Sequence, residues 1–341
     1  MYLMQSDYLE GCHPAVMERL LQTNLEQCPG YGEDVHCENA ARMIRERFSC
    51  PEAAVHFLVG GTQVNTVVIN AALRPFEGVL CAHTGHINVH ETGAIEATGH
   101  KCLALPGKNG KITGDQIREA VELQADDEHM VKPGMVYISQ STELGTLYTL
   151  QELRDIFAAC REKGLLLYVD GARLGYAMGS GANDISPADL VSCCDAFTVG
   201  GTKVGALFGE ALVILNPAVN RSFRYMMKQH GALLAKGRLL GVQFEALMEN
   251  DLYFTIGRQA VEYAMQIRQA LKDKGIPFLI DSPTNQLFPI FNREQLAALS
   301  DGFTFMVQEK LENGYTAVRI CTSWATTREQ TDTLIQAIRA L

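Results

Sequence analysis

Apolar residues recur along this chain in two alternating textures: short unbroken runs, and longer stretches spaced for a helix. Leu165-Leu166-Leu167-Tyr168-Val169 is a run of the first kind, as a strand covered on both faces requires. Before it, Leu153, Ile156, Phe157 and Cys160 fall at helical spacing between Gln151 and Lys163, and Gly164 suits a helix end. Val79 to Ala82, Leu103 to Leu105, Val136 to Ser139, Ala196 to Val199 and Ala211 to Leu215 are further strand candidates. Strands alternating with helices predict an α/β fold, with a mostly parallel, doubly wound sheet and helices on both faces. Such sheets bind ligands beyond the C-terminal ends of their strands, so polar residues that follow apolar runs are the first candidates for chemistry.

After about Leu240 the texture changes. A helical stretch is expected from Val242 to Lys274, then short apolar runs at Pro277–Ile280, Leu287–Phe291 and Ala317–Cys321, with a helix from about Phe303 to Leu311. Thr327-Arg328-Glu329-Gln330 has the form of a capping box, and the helix it opens places Leu334, Ile335, Ile338 and Leu341 on one face. The division expected is a large domain over 1–241 and a smaller C-terminal α+β domain over 242–341.

Composition is that of an ordinary globular chain, 47% apolar and 20% charged over 341 residues. The formal net charge of -10 argues against nucleic acid or an anionic membrane as partner, while leaving room for a small anionic ligand. No apolar run approaches the length of a membrane span, and the opening residues lack the basic and apolar regions of a signal peptide. The ten cysteines contain no CxxC pair and are expected as reduced, mostly buried thiols of a cytoplasmic protein.

Five places could carry chemistry. Asp170 closes the run Leu165–Val169, where a carboxylate needs a partner; a protonated pyridine nitrogen would serve, and so would a helix cap. Lys203 follows Phe197-Thr198-Val199-Gly200-Gly201-Thr202 and would emerge at the same sheet edge, where crowding favours the neutral amine that imine chemistry uses. Taken alone, it could equally be a surface loop lysine. Gly60-Gly61-Thr62, after Phe57-Leu58-Val59, describes an anion site at a helix start, without the spacing of a dinucleotide or nucleoside triphosphate motif. His83, His86 and His90 lie close together, yet their spacing is not that of HExxH, and no metal is expected. Arg319, inside the apolar run Ala317–Cys321, needs an anion: a substrate carboxylate or an internal acid.

In this order the motifs resemble the threonine aldolase and β-eliminating lyase family of pyridoxal-phosphate (PLP) enzymes. The likeness runs from Ser6-Asp7 through Tyr31-Gly32-Glu33-Asp34, Gly61-Thr62-Gln63, His86–Gly93, Asp170-Gly171-Ala172-Arg173 and Thr202-Lys203 to Arg319. It implies the aspartate-aminotransferase-like PLP-dependent transferase fold (fold type I), in a homodimer or homotetramer with sites at the dimer interface. By that resemblance Lys203 carries the cofactor as a Schiff base, Asp170 pairs with its ring nitrogen, His86 stacks on the ring, and Gly61 and Thr62 hold its phosphate, with Thr202 alongside. Ser6, Arg173 and Arg319 would bind the amino acid's carboxylate, with Tyr31 nearby. Met227-Lys228-Gln229-His230-Gly231 looks like the segment that reaches a neighbour's phosphate, although Lys228 stands where an arginine is expected. The activity implied is cleavage of a β-hydroxy-α-amino acid, such as threonine or allo-threonine, to glycine and an aldehyde. Where many members have a histidine that assists at the hydroxyl, the stretch Ser139-Gln140-Ser141-Thr142-Glu143 places Thr142, which cannot serve as a base. His86, or a water held near Glu143, would take that role. β-Elimination or transamination by the same cofactor is the second reading, and a non-catalytic partner protein of this fold the third.

Overall fold

The apolar runs become the middle of a seven-stranded sheet in the computed structural model, which describes residues 1–124 and 127–341. In chain order the strands are β1 (Ala54–Leu58), β2 (Glu77–Ala82), β3 (Cys102–Leu105), β4 (Lys132–Ser139), β5 (Leu166–Asp170), β6 (Ala196–Gly200) and β7 (Glu210–Ile214). They lie side by side as β1-β7-β6-β5-β4-β2-β3. All pairings from β6 to β3 are parallel, and β7 alone runs antiparallel to both neighbours. That geometry gathers the C-terminal ends of six strands at one edge.

Helices cover both faces, and side chains alternate between two apolar layers. Leu167 and Val169 of β5 enter one layer with Val199 and Phe244, while Tyr168 enters the other with Val64, Val68 and Leu212. The expected Gln151–Lys163 helix runs Leu150–Lys163, opened by a Thr149/Glu152 capping box and closed by Gly164 at φ 68°.

Beyond the sheet the structure departs from expectation twice. The Val242–Lys274 stretch is two helices, Arg238–Met248 and Leu252–Asp273, because Asn250 and Asp251 take φ of 53° and 60° between them. Asn and Asp tolerate that left-handed conformation best among non-glycine residues, so the chain turns while the apolar spacing continues on either side. The expected Phe303–Leu311 helix is extended instead: Phe303–Thr304 pairs with Tyr2–Leu3, and Met306–Lys310 pairs with Thr316–Cys321. Sheet pairing outweighs the i, i+3/4 spacing there. A helix lies just upstream, Arg293–Ser300, opened by an Asn292/Gln295 capping box.

A second, antiparallel sheet is ordered Met306–Lys310, Thr316–Cys321, Gln286–Phe291, Phe278–Ile280. Its apolar layer contains Met4, Leu287, Val318, Leu334 and Ile338. The Leu252–Asp273 helix serves both cores: Phe254 and Val261 enter the first, Ile267 and Leu271 this one.

Candidate active site

Ser139 and Asp170, the last residues of β4 and β5, are register partners at the shared edge. Asp170 is buried and accepts three hydrogen bonds: from Tyr137 Oη at 2.6 Å, from Asn65 Nδ2 at 3.2 Å and from the Ala172 amide at 2.8 Å. All three donors are neutral, and no basic side chain forms an ion pair with Asp170 among the described residues. Its carboxyl group therefore lines the cavity with neutral hydrogen-bond donors alone. Gly171 must lack a side chain, since a Cβ there would collide with the Thr198 carbonyl.

Beyond β6 the chain turns through Gly201 and Thr202, whose amides donate to the Gly209 carbonyl at 3.1 and 3.0 Å. The turn delivers Lys203 to the cavity. Burial pushes the Lys203 amine below its usual range, and the nearby Arg173 charge adds to that. Glu210 accepts from the Gly201 amide at 3.0 Å, and burial raises its carboxyl to about 7. Sequence reading missed Glu210; its signal is a carboxylate opening an otherwise apolar strand.

Gly61 opens the Gly61–Ala72 helix, and its N-cap Gly60 supplies no side-chain bond, so the first amides stay available. A Cβ on either glycine would meet nothing within 4 Å, so the space above the helix end is open. Gly61 lines the cavity with Lys203, Asp170 and His86. Thr62 is exposed and Thr202 is tied to Gly209, and neither lines that cavity.

His86 begins a one-turn helix after β2. Its Nδ1 lies 2.7 Å from Glu91 Oε1, which also accepts from Asn65 Nδ2 at 2.7 Å. The His86 amide donates to Glu143 Oε1 at 3.0 Å, and Ser139 Oγ donates to the same oxygen at 2.6 Å. Burial raises the Glu143 carboxyl. Asn65 and Tyr137 were invisible to motif reading because each acts from a different element.

A cavity of about 620 Å³ continues from Lys203, Arg173, Glu143 and His86 to Tyr8, His90, Met306 and Arg319. Arg319 fits an anion: its guanidinium donates to the Gln5 carbonyl at 3.2 and 2.9 Å and to Gln286 Oε1 at 3.4 Å, and meets no carboxylate among the described residues. Arg173, expected at the substrate carboxylate and the cofactor, is instead paired with Asp7. The pair takes two of its five N–H donors, and the side chain still borders the cavity. Ser6 Oγ is buried without a hydrogen-bond partner among the described residues and lines neither cavity.

The other candidate residues take local partners. Thr142 does not face the cavity; its hydroxyl bonds Thr146 Oγ1 at 2.7 Å, while Ser139, Ser141 and Glu143 form the wall. Tyr31 and Lys228 are not brought to Lys203 within the chain. The Lys228 ammonium lies 4.6 Å from the Tyr31 ring centroid, and Tyr31 borders a separate cavity with Arg224. The histidines near β2 do not converge: His83 Nδ1 accepts from the Gly107 amide at 2.9 Å, and His86 is tied to Glu91.

An amine that forms no ion pair among the described residues, an aspartate held by neutral donors and an open helix N-terminus together fit pyridoxal phosphate at its aldehyde, ring nitrogen and phosphate. The fold is the aspartate-aminotransferase-like fold type I of PLP-dependent enzymes. Thermus thermophilus aspartate aminotransferase superposes with a TM-score of 0.71 over 100% of this chain and 91% of its own, at 13% identity. Residues 4–308 match the Beta-eliminating lyase family, and the chain belongs to that family of lyases. It is 30% identical over 345 residues to a low specificity L-threonine aldolase of a Pseudomonas species, covering 98% of this chain and 96% of the relative. The Pseudomonas aeruginosa protein of the same name is also 30% identical, with the same coverage. A solved Leishmania major threonine aldolase matches with a TM-score of 0.98 and 44% identity, over 100% of this chain and 99% of that one.

Proposed function

We propose that this chain is a PLP-dependent aldolase that cleaves the Cα–Cβ bond of L-threonine, L-allo-threonine or a related β-hydroxy-α-amino acid to glycine and an aldehyde. The observation that carries the reading is that Lys203 lines both of two adjoining cavities, one with Asp170 and the other with Arg319, which meets no carboxylate among the described residues. When bound, the cofactor supplies an electron sink for the electrons of the breaking bond.

The chain's own residues do the rest. Lys203, whose amine burial pushes below its usual range, would hold the cofactor through its aldehyde carbon. Asp170 would pair with the ring nitrogen. The amides opening the Gly61–Ala72 helix take the phosphate, with Gly61 and Thr62 at its start. Arg319 would take the substrate carboxylate and so orient the amino acid in the cavity. Glu91 holds the proton on His86 Nδ1, which leaves Nε2 as an acceptor for the β-hydroxyl proton. Glu143 and Ser139 fix the backbone beside it.

Tyr31 and Lys228 fit a role in a neighbouring copy's site, which supports a homodimer or homotetramer with sites at the interface. The expected cysteine state fits a cytoplasmic enzyme: Cys12 and Cys28 are half-buried, the other eight buried, and none is bridged. No described helix is long and apolar enough to cross a membrane.

Incubation with L-threonine and L-allo-threonine tests the proposal. Glycine and acetaldehyde in equal amounts are expected; ammonia and a keto acid without glycine would replace it with β-elimination.

A further inference from the structure

We propose that Glu26, Cys28 and His36 form a binding site for a single divalent cation of the zinc class. Each offers one ligand atom, and these atoms lie within 4.8 Å of one another. None of the three lines the cavity at Lys203. A thiolate, an imidazole and a carboxylate are the donors zinc takes, whereas calcium and magnesium take oxygen. Three protein ligands leave the fourth tetrahedral position to water.

The imidazole is already arranged as a ligand. His36 is buried in the first turn of the Val35–Phe48 helix, with Nε2 2.7 Å from Glu26 Oε2. Its other nitrogen, Nδ1, lies 2.7 Å from Glu245 Oε2. A carboxylate behind a histidine, with the far nitrogen turned to the ligand cluster, is the support that metal-bound histidines share. Glu245 is itself held by Asn39 Nδ2 at 3.1 Å and Arg19 at 3.5 Å.

The other two ligands sit on a loop pinned at both ends. Arg238 donates to the Thr23 and Asn24 carbonyls at 2.7 and 3.0 Å, and the Tyr31 amide donates to Ala235 O at 3.3 Å. Gly30 has no room for a side chain, since a Cβ would stand 2.8 Å from Ala235 O. Cys28 and Glu26 reach solvent, which gives the ion a path in. Binding releases the Cys28 thiol proton and leaves His36 Nε2 unprotonated toward the ion. The bound cation fixes the loop that leads into Tyr31.

The test uses the PLP-loaded enzyme, stripped with a chelator and then titrated with Zn²⁺ or Co²⁺ alone. About one ion per chain should bind, and cobalt should give a thiolate charge-transfer band. Cys28→Ser should abolish that band and weaken binding by at least about tenfold, and Glu245→Gln should weaken it roughly 10–100-fold. In the unmutated enzyme, zinc should slow alkylation of Cys28 by about tenfold or more, read by peptide mapping against the half-buried Cys12. Equal binding by Cys28→Ser, or alkylation of Cys28 indifferent to zinc, would overturn the site whatever the fate of the variants.

Discussion

Glu91 stands behind His86: its Oε1 lies 2.7 Å from the ring's Nδ1, and the same oxygen is held by Asn65. The pair fixes both the tautomer and the tilt of the imidazole. Glu91→Gln should therefore lower kcat by roughly 10–100-fold, the scale for an orienting group rather than the base itself, with KM little changed. Steady-state kinetics on L-threonine measure it, and an unchanged kcat would remove His86 from proton transfer.

Lys203→Ala should abolish turnover and leave the cofactor removable by dialysis. Borohydride treatment followed by mass spectrometry should find the cofactor fixed to Lys203 in the unmutated enzyme and nowhere in the variant.

Arg319 has carbonyl and amide partners but no acid among the described residues, so its charge is available to a ligand. Arg319→Ala should cost about 2–5 kcal/mol in kcat/KM, mainly through KM. Normal kcat/KM in that variant would place the substrate carboxylate elsewhere.

The wall of the cavity distinguishes two neighbours. Thr142→Ala removes a hydroxyl bonded to Thr146 and should cost roughly 1 kcal/mol of stability while leaving kcat/KM nearly unchanged. Glu143→Gln should leave the fold intact and lower kcat by at least about tenfold, because Glu143 anchors the His86 backbone. Equal kinetic losses in the two variants would contradict this division.

Glu210 gives a pH signature. Burial raises its carboxyl to about 7, above the unfolded value, so the folded chain binds the extra proton. Its stabilising contribution is complete below the unfolded carboxylate pKa and is lost as pH rises through about 7. Glu210→Gln keeps an acceptor for the Gly201 amide and cannot ionise. The variant's stability relative to the unmutated protein should rise by up to roughly 3 kcal/mol between pH 5 and pH 8. Denaturant melts at the two pH values measure it, and a pH-independent difference would contradict the sign.

Lys203 and Asp170 were legible because a strand end is a local event: an apolar run, then a polar residue. The helices with capping boxes were legible for the same reason, and the Asn292/Gln295 box shows that the Arg293–Ser300 helix was there to be read. The strand at Met306–Lys310 was not, since its conformation comes from pairing with Thr316–Cys321 rather than from its own spacing. Nor was the commitment of Arg173 to Asp7, whose partners are far apart in sequence. Tyr137 and Asn65 share that problem: they reach Asp170 from β4 and from the Gly61–Ala72 helix, and no spacing relates them to it.

The segment Gln5–Asp7 has a role that its length conceals. Its first carbonyl grips Arg319 and its last carboxylate grips Arg173, so two guanidinium groups that border one cavity are spaced by two peptide steps of chain. Of these two guanidinium groups it matches one with a carboxylate and gives the other only a carbonyl. Any change in how this short ruler lies would shift Arg319 against Arg173 and so redirect where an incoming anion settles.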